Sequence, residues 1–149
     1  MRRQSLESGQ SLFEVVVAVG VFALIIAAIV GLATSSIRNT TFSRNNALAT
    51  RYSQEAVEWL RTQRDTDWES FHTNASAVPA TYCLKDLSWV DIDDCDPQDA
   101  IAETTLFRQV DFSDVTDTSV TATITTSWTD SQGTHQVEIS TEFTDWRSR

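Results

Sequence analysis

Hydrophobic and polar positions divide the chain into a long helical pattern followed by an alternating one. Val15 to Ala33 is a run of nineteen residues without a charge, Pro, Asn or Gln. At about 1.5 Å per residue, a helix of that length nearly spans a bilayer core of about 30 Å. Past it, Ile37, Thr41, Leu48, Tyr52, Ala56 and Leu60 recur at helical spacings, with Trp59 beside the last. Arg38, Arg44, Arg51, Glu55, Glu58, Arg61 and Arg64 supply the wet faces. No Pro or Gly interrupts residues 32–64, so the pattern predicts one helix from about Ser11 to Asp65, close to 80 Å long.

The stretch "RDTDWESFHTNASAVPATYC" breaks that pattern, and Pro79 closes off further helix. A connecting region over 66–104 follows, with at most short strands near Thr81 to Leu84 and Ser88 to Val90. Three segments then carry strand character: Thr105 to Phe112, Ser119 to Trp128 and His135 to Phe143. In the second, Val120, Ala122, Ile124, Thr126 and Trp128 take one face, and Thr121, Thr123, Thr125 and Ser127 the other. Val137, Ile139 and Phe143 match the first face, and "TDSQGT", with Gly133, reads as the hairpin turn. The expected fold is α+β: a long N-terminal helix whose outer half lies on a roughly three-stranded antiparallel sheet over residues 105–149.

The net charge of −10 sharpens this division. Residues 1–64 hold seven Arg and four acids, net +3; residues 65–149 hold four basic residues and seventeen acids, net −13. Such a half repels phosphate, which argues against direct nucleic-acid or anionic-lipid binding and fits a solubilising surface. Cys83 and Cys95, with eleven residues between them, read as one disulfide formed in an oxidising compartment. Arginines flank the apolar run on both sides, so the cysteine pair fixes orientation, with the C-terminal domain outside the cytoplasm. The run exceeds the apolar core of a cleaved signal peptide, and no clean small-x-small site follows it.

Ahead of the run stands Gly9, then Gln10-Ser11-Leu12-Phe13-Glu14. With a basic leader before them, these residues resemble the prepilin N-terminal motif of type IV pilins and type II secretion pseudopilins. The tail "EVVVAVGVFAL" is similar to minor pilins and I-type pseudopilins, and the resemblance covers about the first 35 residues. It implies that residues 1–9 are a leader, that prepilin peptidase cuts between Gly9 and Gln10, and that Glu14 is the family glutamate. The chain departs from the family's usual Phe or Met at Gln10, which bears on N-methylation more than on cleavage. The resemblance also implies a pilin fold, in agreement with the strand and helix pattern.

Glu14 has two readings. It lies one turn from the cut and snorkels to the interface, or it pairs with the amino terminus that cleavage creates on a neighbouring subunit. At an effective dielectric near 20, such a pair at about 4 Å is worth roughly 4 kcal/mol before desolvation. Gly20 and Gly31 are either close-packing points between membrane helices or places where a filament helix loosens. Trp59, Trp68, Trp89, Trp128 and Trp146 read as core filler, with a sugar-binding face as the other possibility. "DIDDCDPQD" offers Asp91, Asp93, Asp94, Asp96 and Asp99 as weak calcium ligands, although it fails the EF-hand pattern and reads first as a solvated loop. His72 and His135 are isolated, and no nucleophile or phosphate-loop motif accompanies them, so neither an enzyme nor any other cofactor is expected.

These readings converge on a structural, minor-type subunit of a type IV pilus or related filament. Residues 10–33 form the membrane and filament-core helix, and residues 34–65 its amphipathic continuation. Expected partners are other pilins or pseudopilins, prepilin peptidase, the membrane and an assembly platform. The chain would sit as a single-pass inner-membrane protein before assembly and at the cell surface after it. A type II secretion pseudopilin is the alternative within the family. A single-pass anchored extracytoplasmic binding domain is the alternative outside it.

Overall fold

The computed structural model describes residues 8–77, 81–89, 91–92, 95 and 99–147. The chain divides into two units between Ser43 and Arg44, and helix α1 (Ser8–Thr66) contributes to both. In the first unit every described side chain from Leu12 to Ser43 is exposed. The second, from Arg44 onward, is a two-layer head of helix on sheet with its own core.

The sheet is antiparallel, in the order β2-β1-β3-β4-β5. Its strands are β1 (Thr81–Cys83), β2 (Asp91–Ile92), β3 (Phe107–Thr116), β4 (Ser119–Asp130) and β5 (Gly133–Thr144). The three long strands are the expected ones. Two short strands extend the sheet beyond three, the second just past the stretch the sequence suggested. Cys83, at the end of β1, is bonded to Cys95, which ties the chain just past β2 back to β1, while β1 itself pairs with β3. Pro79 and Val90 lie outside the described residues.

β4 alternates as its sequence predicts, with Val120, Ala122, Ile124, Thr126 and Trp128 all buried. It pairs without interruption with β5, from Ser119 opposite Thr144 to Asp130 opposite Gly133. The turn needs Gly133 for its backbone, not for space: φ is 124°, yet a Cβ there would meet nothing within 4 Å. A bulge near the end of β3 shifts the register between Ser113 and Thr116, and Asp114 there has φ 48°.

The helix stripe differs from expectation. Ala49, Ser53, Ala56, Val57 and Leu60 are buried, whereas Leu48, Tyr52 and Trp59 are half-buried at its margins and Ile37 and Thr41 are exposed. Ala49, Ser53 and Ala56 are small residues, and their burial places them under the inward side chains of the sheet. Ser53 Oγ meets Thr126 Oγ1 at 2.8 Å, which satisfies both buried hydroxyls.

The segment after α1 is also not simply a loop. Helix α2 (Trp68–Ala75) starts at Asp67, whose side chain accepts the Ser70 N–H at 3.3 Å. Glu69 complements the first turn, and Phe71 and Ala75, four apart, are buried together. Phe71 is the hub of an aromatic core, 5.5 Å from Phe143, 6.0 Å from Phe112 and 6.3 Å from Trp89. Trp128 is buried in a second cluster with Ala49, Ile101 and Leu106, while Trp59, Trp68 and Trp89 flank the first. Four of the five tryptophans thus serve packing; Trp146 remains 58% exposed.

Candidate functional site

The N-terminal unit holds the residues that the sequence marked for cleavage and helix packing. Gly9 and Gln10 fall within the first turn of α1, so the helix begins three residues earlier than expected and runs through the Gly9–Gln10 bond. Residues 1–7 and the side chains of residues 8–11 lie outside the described part. Glu14 is exposed one turn further on. The helix contains an 18-residue window of mean hydropathy 3.1, none of it buried, which makes it long and apolar enough to cross a membrane. Leu12, Phe13, Phe22, Leu24 and Leu32 each expose more than two thirds of their surface.

Gly20 and Gly31, eleven residues apart, lie within about 20° of one another around a regular helix, and Ala27 falls between them on the same face. A Cβ at either glycine would meet nothing within 4 Å. The face is therefore flat and open, a shape that admits close approach by another helix. Ala27 was not singled out in the sequence, although its spacing of seven and four from the two glycines was there to be read. Glu14 sits about 120° away from this face. The helix thus presents a carboxylate and a small-residue strip in different directions. Near the end of the apolar run, the Thr34 hydroxyl donates to the Val30 carbonyl at 2.9 Å, which spares it a separate partner in an apolar setting.

In the head, the tie that sequence reading missed is Arg108. Its side chain is only 2% exposed, yet it spends every terminal nitrogen. Nε and Nη2 donate to the Leu84 carbonyl at 3.0 and 2.8 Å, and Nη1 donates to the Tyr52 carbonyl at 2.9 Å and to Glu55 Oε2 at 3.0 Å. One guanidinium therefore fastens β3 to α1 and to the segment after Cys83. Burial pulls the Arg108 pKa down, while Glu55 opposes that shift and holds the charge. The signal in the sequence was a lone arginine at an inward position of β3, next to Phe107.

Asp65 gathers the far end of α1. Its carboxylate accepts from the Trp146 indole at 3.3 Å and from Arg64 Nε at 2.9 Å, and its carbonyl accepts from Arg147. These contacts, the indole first and Arg64 next, hold its pKa below the usual value. At the β4–β5 turn, Asp130 is likewise lowered, first by the Gln132 N–H and then by His135. Burial raises the Tyr82 phenol, whose hydroxyl donates to the Asn74 carbonyl at 2.8 Å.

No family model, curated protein or solved structure matches this chain.

The remaining candidates are less assembled. Asp93, Asp94 and Asp96 lie outside the described residues, as does the side chain of Asp91, leaving Asp99 as the described member of the calcium set. Among the described residues no group of three His, Cys, Asp or Glu side chains is placed to hold a metal ion. His72 meets the Thr116 carbonyl at 3.0 Å and His135 meets Asp130 at 3.0 Å, far apart on the sheet and helix surface. Cys83 and Cys95 form the expected disulfide.

Proposed function

We propose that this chain is a filament subunit of the type IV pilin kind, held first in a membrane and then in a filament core by the apolar half of α1. The observation that carries this reading is the contrast in burial along one helix. From Leu12 to Ser43 every side chain is exposed, while the head beyond Arg44 completes its own core without that segment. Apolar surface on this scale demands an apolar environment, either lipid or other helices. The prepilin-like Gly9, Gln10 and Glu14 favour helices as the final environment, with lipid as the first. Cleavage between Gly9 and Gln10 frees an amino terminus one turn from Glu14, and a neighbour's Glu14 then sets the register of packing.

Mass spectrometry of the chain in a sheared-fibre fraction tests this. The expected species begins at Gln10; a species beginning at Met1, or absence from fibres, overturns the proposal. Glu14→Ala should leave the membrane-inserted chain in place and strongly reduce its incorporation. A secretion pseudopilin shares all of these features and differs in yielding no surface fibre. The single-pass anchored domain is favoured by the same exposed helix, and it predicts that Glu14→Ala changes nothing.

A further inference from the structure

Charge in the head is sorted by face. Along α1, Arg61 is bound to Glu58 at 2.6 Å and Arg64 to Asp65 at 2.8 Å. Arg44 and Arg51 are exposed, and neither makes an ion pair or side-chain hydrogen bond with a described residue. Seven residues apart, they lie within about 20° of one line on the helix and roughly 10 Å apart along it. Ser53, which reaches Thr126 in the sheet, is about 160° around the helix from Arg51, so the two arginines face away from the sheet.

The other side of the head carries the opposite charge. On the outer face of the sheet Glu142 stands beside Thr121, Glu138 beside Thr125, and Asp111 beside Thr123. Glu138 and Glu142 are exposed and have no ion pair with a described residue. Asp111 accepts from the Thr81 hydroxyl at 2.6 Å and the Gln109 amide at 3.1 Å, neither of which brings a positive charge. No Lys or Arg shares this face of β3, β4 or β5; the alternating neighbours are Gln109, Ser113, Thr121, Thr123, Thr125 and Ser140. Glu138 and Glu142, four residues apart on one strand, are separated by about 13 Å, a spacing that two long arginine side chains about 10 Å apart can match.

We infer that the Arg44–Arg51 face of one copy docks on the Asp111–Glu138–Glu142 sheet face of a second copy. Both patches belong to this chain, neither has an ion pair with a described residue, and they lie on opposite sides of a two-layer head. A contact between them is head-to-tail, so it propagates from copy to copy instead of closing a two-fold dimer. The inference rests on the filament reading for bringing copies side by side; the charge match supplies the direction in which heads stack.

The test is self-association of the full chain in neutral detergent micelles, by sedimentation at low and high salt. Arg44→Glu with Arg51→Glu, and separately Glu138→Arg with Glu142→Arg, should each weaken association about fivefold, and the four-site swap should restore it. Raising salt should weaken the wild type and the swap alike. The milder Arg51→Gln and Glu138→Gln should act in the same direction, covering any folding loss in the reversals. Absence of wild-type association, or a swap as weak as either reversal, overturns the inference. So does a loss confined to the arginine variants together with weaker binding to phosphatidylglycerol vesicles, which assigns those arginines to anionic headgroups. The filament reading is separately readable: if Glu14→Ala abolishes fibres while every charge variant leaves them intact, that reading stands and head stacking falls.

Discussion

The two parts of α1 differ in apolar content, about two thirds of Leu12 to Ser43 against about one third of Arg44 to Thr66, and the sparser part is the one that is buried. Between Leu12 and Ser43 bulky residues such as Phe22 and Leu24 face outward, whereas between Arg44 and Thr66 the helix buries small residues at its centre and Leu60 at its end. Greater hydrophobicity therefore does not by itself place a helix segment in the core of its own chain. What the second part has is a complementary face, the inward residues of β3, β4 and β5.

Paired substitutions break this comparison most sharply. Phe71→Ala should destabilise the head by about 3–5 kcal/mol, since it empties the centre of the aromatic core, while Phe22→Ala should leave the same unfolding transition unmoved. Urea denaturation of the full chain in detergent, followed by tryptophan fluorescence, reads both. Equal shifts would mean that the apolar half is part of the head's fold after all.

Next in size is the disulfide. Replacing Cys83 and Cys95 together by Ser should cost about 3 kcal/mol, from the freed loop, without changing insertion of the N-terminal helix. Arg108→Met should follow at about 2 kcal/mol, because the Leu84 and Tyr52 carbonyls lose their donors inside the head. If Arg108→Lys recovers full stability in the same assay, the fork of donors is not what matters at that site.

The smallest effect is in acid. The folded pKa of Asp65 is depressed, so its contribution is present above the unfolded value near 3.8 and is lost as pH falls through the lowered folded value. Asp65→Asn should flatten the acid limb of the head's stability profile over that window and leave neutral pH behaviour of the N-terminal helix untouched. Unfolding midpoints measured from pH 5 down to pH 2 give the answer.

Period and punctuation made much of this architecture legible. The single helix, the three long strands, the alternation of β4, the hairpin at Gly133 and the cysteine pairing all follow from local pattern. What escaped depended on partners distant in sequence. Helix α2 hides in a polar stretch because only Phe71 and Ala75 turn inward, and its cap, Asp67, looks like any acid in an acid-rich segment. The helix stripe held at Ala56 and Leu60 but shifted by one position at Leu48 and Tyr52, because their buried neighbours Ala49 and Ser53 are weak hydrophobic signals. Arg108 reads as a surface cation until Leu84, Tyr52 and Glu55 are brought around it. At the candidate site, Glu14 stands out in the sequence as an acid at the edge of the apolar run and Gly20 and Gly31 as the glycines within it, whereas the sorting of charge between helix and sheet faces appears only once strand register is known.

The lateral ties along α1 have a mechanical meaning. Within the head, hydrogen bonds leave the helix at Tyr52, Ser53, Glu55, Gln63 and Asp65, reaching β3, β4, the segment after Cys83 and the C-terminal Trp146. A pull along the helix axis loads these ties in shear and in parallel, so none is peeled before the others share the force. Tension along the helix would meet its resistance at this seam, whose rupture rate, not its equilibrium stability, sets how long a loaded subunit lasts.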